Sequence, residues 1–214
     1  SSAASDVYKR QVQGELIRVF RSLKWLTGPE EDQLLVLSSR TDAGVHVRVN
    51  GGIVDLDRTL WDALSPRKMI RAVDDRLDAN IAFLTVTEVD LDFNPRMARH
   101  RVYRYRLEAM EFWVEPELEA FKRWLKHFVG TYDARNFARL EEGKNPVRTV
   151  LDAKPWMDGD RLMGFEIKGE AFLWNQVRRV ANALFRLSVG ELEEHQVVSA
   201  IQEPMTSVDF GVAP

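Results

Sequence analysis

Apolar residues at Val12, Leu16, Val19, Phe20, Leu23 and Leu26 recur at the spacing of one helix face, and Gly28-Pro29 ends the pattern. A short buried strand is predicted over Leu34 to Leu37. Beyond a tight connection, Val45, Val47 and Val49 alternate with His46, Arg48 and Asn50, the period of a half-buried strand. Asn50-Gly51-Gly52 accepts positive φ and allows a turn into the apolar run at Ile53, Val54 and Leu56. Ser65-Pro66 reads as an N-cap followed by proline at the first helical position, ahead of the stripe Met69, Ile70, Val73 and Leu77. Ile81 to Val89 is the next predicted strand.

The second half follows the same plan. Arg101 to Leu107 alternates as a strand, and Pro116 opens a helix with Leu118, Phe121, Leu125 and Phe128 inward. Strands are predicted near Val147 to Ala153 and Leu162 to Ile167. A helix carries Val177, Val180, Ala181, Leu184 and Leu187 on one face with Gly190 at its end, and a shorter helix runs from about Glu193 to Ile201. The pattern is α+β, with two halves that each approach a β-α-β-β-α-β unit, antiparallel sheets and helices on one face. The first half lacks a leading strand and the second a final one, so a chain shortened at both ends is expected. Residues 1–10 read as a leader outside the fold, 11–95 as the first half and 96–214 as the second.

Composition narrows the chemistry. The 214 residues are 45% hydrophobic and include no cysteine, which excludes disulfides, thiolate metal sites and a thiol nucleophile. The longest apolar runs fall far short of the ~20 residues of a spanning helix. His46, His100, His127 and His195 show no metal-ligand spacing, and no phosphate-binding glycine loop is present. Net charge is only -3, but five arginines face one acid, Glu108, between Asn94 and Met110, a local net charge of +4. Alternation puts Tyr103, Tyr105 and Leu107 on one strand face and Arg104 and Arg106 on the other, which suits stacking a base and gripping phosphates. A charged edge strand over core tyrosines is the bland alternative. Arg135, Arg139, Lys144 and Arg148 make a second basic stretch.

Two motifs bear on catalysis. In Arg40-Thr41-Asp42-Ala43-Gly44-Val45-His46, Gly44 permits a sharp turn that presents the Asp42 carboxylate, although turn chemistry alone accounts for both residues. In Phe172-Leu173-Trp174-Asn175-Gln176-Val177-Arg178-Arg179, an arginine near a helix start opposes the helix dipole and calls for a specific partner. Asp42 is the candidate partner, and the pairing would hold its carboxylate ionised.

These motifs resemble the tRNA pseudouridine synthase A family. The likeness includes the Asp42 motif, Arg101-x-Tyr103-x-Tyr105, Asn136-Phe137-Ala138-Arg139, Val147-Arg148-Thr149-Val150, and Phe172-Leu173 through Val177-Arg178 to Val189-Gly190, and it extends from about Val12 to Pro214. The resemblance implies the pseudouridine synthase fold and isomerisation of uridine in the anticodon stem-loop of tRNA. It implies a cytoplasmic homodimer that needs neither metal nor cofactor. By the same resemblance Asp42 is the nucleophile, attacking ribose C1′ or uracil C6 or taking a sugar proton. Arg178 is its basic partner, Tyr103 packs on the target base, and Arg40 helps displace that base from its stack. His46, Arg101 and Arg104 are expected at the RNA. A catalytically silent RNA-binding module of the same fold is the competing reading, and an unrelated hydrolase would need a second acid in a comparable motif, which the sequence does not offer.

Overall fold

Leu16, Val19 and Phe20 become the buried face of helix α1, Val12–Ser22, as the apolar spacing requires. This computed structural model describes residues 12–27, 35–39, 45–204 and 209–214. The chain divides into two compact units, Ser1–Ala98 and Arg99–Pro214. Among the described residues, no helix is long and apolar enough to cross a membrane.

In the first unit α1 stops earlier than its apolar spacing suggests. Lys24 takes φ 58°, and the Trp25 N–H donates to Phe20 O at 2.9 Å, a helix-ending turn that still buries Leu26. Strands β1, Leu35–Leu37, and β2, Gly52–Val54, pair antiparallel with Leu35 opposite Val54. Asn50 ties the connection, accepting from Ser38 Oγ at 2.6 Å and donating to Ser39 O at 3.1 Å. Helix α2, Arg58–Ala63, starts at an Asp57 cap that the apolar pattern did not announce. Helix α3, Pro66–Asp74, begins as expected, with Ser65 capping the Lys68 N–H, and buries Met69 and Val73. Leu16, Val19, Phe20, Leu26, Leu35 and Val73 form this unit's core, with Phe83 packed against it.

Two predicted strands of this unit do not form. Residues 45–50 carry no strand, and Val45, Val47 and Val49 are 41%, 46% and 74% exposed, so their alternation has no buried face to serve. Residues 81–89 are not a strand either. Phe83 reaches the core and its N–H donates to Asp74 Oδ1 at 2.9 Å, so a side chain takes a donor that a ladder would have used. Alternation is a local property, whereas a strand requires a partner.

The second unit is built on a four-stranded antiparallel sheet ordered β3-β6-β5-β4, from β3, Arg101–Arg106, β4, Gly130–Asp133, β5, Val147–Asp158, and β6, Arg161–Gly169. The sequence pattern predicts three of these strands, and β4 is the fourth. With Tyr132 as its only apolar residue, β4 carries no alternation to detect. Helices α4, Leu118–His127, α5, Gln176–Ser188, and α6, Glu194–Gln202, supply Phe121, Leu125, Val180, Ala181, Leu184, Leu187, Val197 and Ala200 to one core with Phe165 and Ile167 of β6. Gly190, at φ 75°, follows α5 as expected. The fold is thus α+β with antiparallel sheets.

Glu194 at the start of α6 accepts a two-pronged pair from Arg123 (3.0 Å) and a bond from His127 Nε2 (2.7 Å), both on α4. These bonds, Arg123 foremost, hold its carboxyl at about 2, well below the ordinary 4.5. A lowered folded pKa contributes stability that is complete above about pH 4.5 and fades as pH falls towards 2. Glu194→Gln should therefore destabilise the chain by about 1 kcal/mol near neutrality, as expected of a partly exposed network. The gap in thermal midpoint between parent and variant should close over that acid window.

Candidate active site

The strand–helix junction of the second unit gathers most of the described residues singled out by sequence. Strand β3 alternates as predicted, with Tyr103 and Tyr105 packed against the core and Val102, Arg104 and Arg106 on the exposed face. Tyr103 lies opposite Ile167 and Arg101 opposite Gly169. Just beyond β6, Phe172 meets Tyr103 edge to face, with ring centroids 5.3 Å apart and planes at 89°. Gly169 makes this possible, because a Cβ there would stand 2.8 Å from Phe172 Cζ and 3.0 Å from Thr149 O. Arg101 Nη1 donates to Glu170 O at 2.9 Å and fixes the same corner.

The chain then turns sharply into α5. Asn175 adopts φ 61° and ψ 9°, an uncommon conformation for a side-chain-bearing residue that often marks functional sites. Gln176, 1% exposed, closes the turn: its Oε1 accepts from the Leu173 N–H at 2.8 Å while its own N–H donates to Leu173 O at 3.0 Å. Beside it, burial pushes the Tyr132 phenol up, and the Gln176 side chain opposes that shift. Arg148, opposite Tyr132 in the sheet, donates through Nη1 to Asn145 O and Val147 O, and burial pulls its guanidinium down.

Two residues into α5, Arg178 is clasped by the segment near Pro214. Its Nε donates to Ala213 O at 2.7 Å, and the Ala213 N–H donates back to Arg178 O at 3.2 Å. The Tyr105 hydroxyl donates to Pro214 O at 2.7 Å. Burial raises the Tyr105 phenol above its usual value, and the Arg178 charge acts in the opposite direction. Arg178 is therefore held at both its backbone and its Nε, and its two Nη groups are the donors that an anion would meet.

The arginine-rich strand is less available than its linear charge suggests. Arg104 Nε donates to Glu166 at 2.8 Å and its guanidinium stands 5.5 Å from the Trp156 ring centroid, while Lys154 pairs with Glu166 at 3.1 Å. Arg106 and Arg161 both pair with Glu108, at 2.9 and 2.6 Å. The local excess of +4 is thus partly neutralised across the sheet by an acid of β6. His46 is exposed in the first unit. Arg40 and Asp42 lie outside the described residues. Sequence alone gives Phe172, Gln176 and Ala213 no individual role. Phe172 and Gln176 sit in the motif that runs to Arg179, Tyr105 belongs to the Arg101-x-Tyr103-x-Tyr105 strand, and Ala213 is joined to the corner by its long-range bonds with Arg178.

Residues 125–213 match a family model described as tRNA pseudouridine synthase, and they include the turn and helix of this corner from Gly169 through Arg178 to Ala213, while β3 with Arg101, Tyr103 and Tyr105 precedes the match. Over 204 residues the chain is 33% identical to the tRNA pseudouridine synthase A of Thermococcus kodakarensis, covering 94% of this chain and 70% of that protein. The enzyme of the same name from Halalkalibacterium halodurans is 31% identical over 90% of this chain and 75% of its own length. That from Archaeoglobus fulgidus is 32% identical over 84% and 61%. The chain belongs to the tRNA pseudouridine synthase A family, a family of isomerases, and spans about two thirds of the length of such relatives.

Proposed function

We propose that this chain isomerises uridine to pseudouridine in the anticodon stem-loop of tRNA, with Asp42 as the nucleophile. The observation that carries the reading is the Tyr103–Phe172–Arg178 corner, which sets an aromatic edge and a clasped guanidinium in one unit of a chain that belongs to this family. In the reaction the bond between uracil N1 and ribose C1′ breaks, the base turns, and C5 bonds to C1′. The C5 proton is lost and N1 takes up a proton, so no oxidant or reductant is consumed. Whichever of ribose C1′, uracil C6 or a sugar proton Asp42 engages, its carboxylate must be ionised, and Arg178 is the cation that keeps it so. Tyr103 packs against the target base, Arg40 helps displace it, and His46, Arg101 and Arg104 contact the RNA. The protein acts as a cytoplasmic homodimer on one tRNA.

The test is release of tritium from tRNA labelled at uridine C5. The chain should release tritium, and none from a preparation that binds tRNA would overturn the reading in favour of a silent binding module. Arg178→Ala should reduce release by about 10²-fold, the scale of losing a charge partner to a reacting group. Its tRNA affinity should fall far less. An equal fall in affinity and release would assign Arg178 to RNA binding instead.

A further inference from the structure

Trp174 stands apart from its neighbours in the Phe172–Arg178 turn. Phe172 and Val177 pack against the core of the second unit, whereas Trp174 is 45% exposed and outside that cluster. Its position is nonetheless fixed twice by one residue. The Arg139 N–H donates to Trp174 O at 2.8 Å, an isolated bridge between two loops, and the Arg139 guanidinium lies over the indole, 4.3 Å from the ring centroid. Exposing aromatic surface to water and restraining it there are both unfavourable, and the cation–π contact offsets them only in part, so Trp174 stands as a held aromatic surface with one side open to a ligand.

The geometry points to Trp174 and Arg139 as a nucleotide-binding platform, in which an unstacked base of the RNA lies on the indole and Arg139 meets the adjoining phosphate. The inference rests on the reading of the chain as a tRNA-modifying enzyme. Indole offers a sequence-tolerant stacking surface, and a guanidinium on its other face both polarises the ring and supplies donors to a phosphate. Unlike Arg104 and Arg106, Arg139 has no carboxylate within ion-pair distance among the described residues, so its charge is not already neutralised. Trp174 also lies between Phe172 and the start of α5, four residues before Arg178. A base held on Trp174 would belong to the strand next to the reacting nucleotide rather than to a remote part of the RNA.

The test compares tRNA dissociation constants of the parent, Trp174→Ala, Trp174→Phe and Arg139→Gln at one fixed salt concentration, with tritium release measured alongside. Trp174→Ala should weaken binding about tenfold or more, as loss of one stacked base does, and Trp174→Phe should recover most of it. Arg139→Gln should weaken binding and reduce the salt dependence by about one phosphate contact. Saturated turnover should stay close to the parent's in all three variants. Unchanged affinity in Trp174→Ala would overturn the platform. So would equal losses in the Ala and Phe variants, because that pattern reports a structural defect rather than a missing stack. A parent chain that does not bind tRNA would instead overturn the functional reading, and the platform with it.

Discussion

Asp42→Asn is expected to lower tritium release from C5-labelled tRNA by roughly 10³-fold or more, the scale on which loss of a nucleophile acts in other enzymes. Asparagine keeps the size of aspartate and removes its charge. It also keeps the local hydrogen bonds with which either residue shapes a turn, so the Arg40–His46 segment should hold its backbone course. Affinity for tRNA should stay within about threefold of the parent, or rise slightly, because a carboxylate beside RNA repels phosphate. The two readings of the motif diverge here. If Asp42 only shapes a turn, the parent has little activity to lose and the variant behaves like it. If Asp42 is the nucleophile, binding and turnover separate completely in one substitution. Full activity in Asp42→Asn would remove the residue from the chemistry. Asp42→Ala is the less informative change, since it disturbs turn and charge together.

The helices were the most legible part of this chain, and for a definite reason. All but the short α2 carry their own period, and some carry their own punctuation, as with Ser65-Pro66 before α3 and Gly190 after α5. Strands depend on partners that the local pattern does not contain. Val45 to Val49 alternate and Ile81 to Leu84 are apolar throughout, yet neither stretch forms a ladder, while β4, with one apolar residue, gains its place by pairing with β5. The same distinction governs the site. Arg101, Tyr103 and Arg178 are found from motif and alternation, since these belong to continuous stretches of sequence. The pairing of Arg104 with Glu166 and the clasp of Arg178 by Ala213 join residues 62 and 35 positions apart, the seat of Phe172 over Gly169 lies across a corner, and only the folded chain brings these groups together. Charge counted along a strand overstates what reaches a ligand when the acids stand on the next strand.

Gly164 carries the largest expected effect on stability. It sits in β6 opposite Arg106 at φ 154°, and a Cβ there would stand 2.0 Å from Tyr105 O and 2.8 Å from Leu107 N. Both are backbone atoms of the neighbouring chain segment, so no side-chain rotation relieves the clash. β3 would have to withdraw from β6, breaking ladder bonds and opening the core beneath Phe165. Gly164→Ala should therefore cost about 3 kcal/mol or more, the combined scale of overpacking and backbone strain. In a chain of this size that lowers the thermal midpoint by roughly 6–12 °C. Gly159→Ala is the control, because Gly159 also takes positive φ, at 57°, but a Cβ there meets nothing within 4 Å. Its cost should be near 1 kcal/mol, from the backbone conformation alone. Equal midpoints for the two variants would show that β3 and β6 do not approach as closely as this packing requires. If Gly164→Ala folds at low temperature, its tritium release should still fall, because the displaced strand carries Tyr103 away from Phe172 and Tyr105 away from Pro214. Fold and site then fail together through one added methyl group.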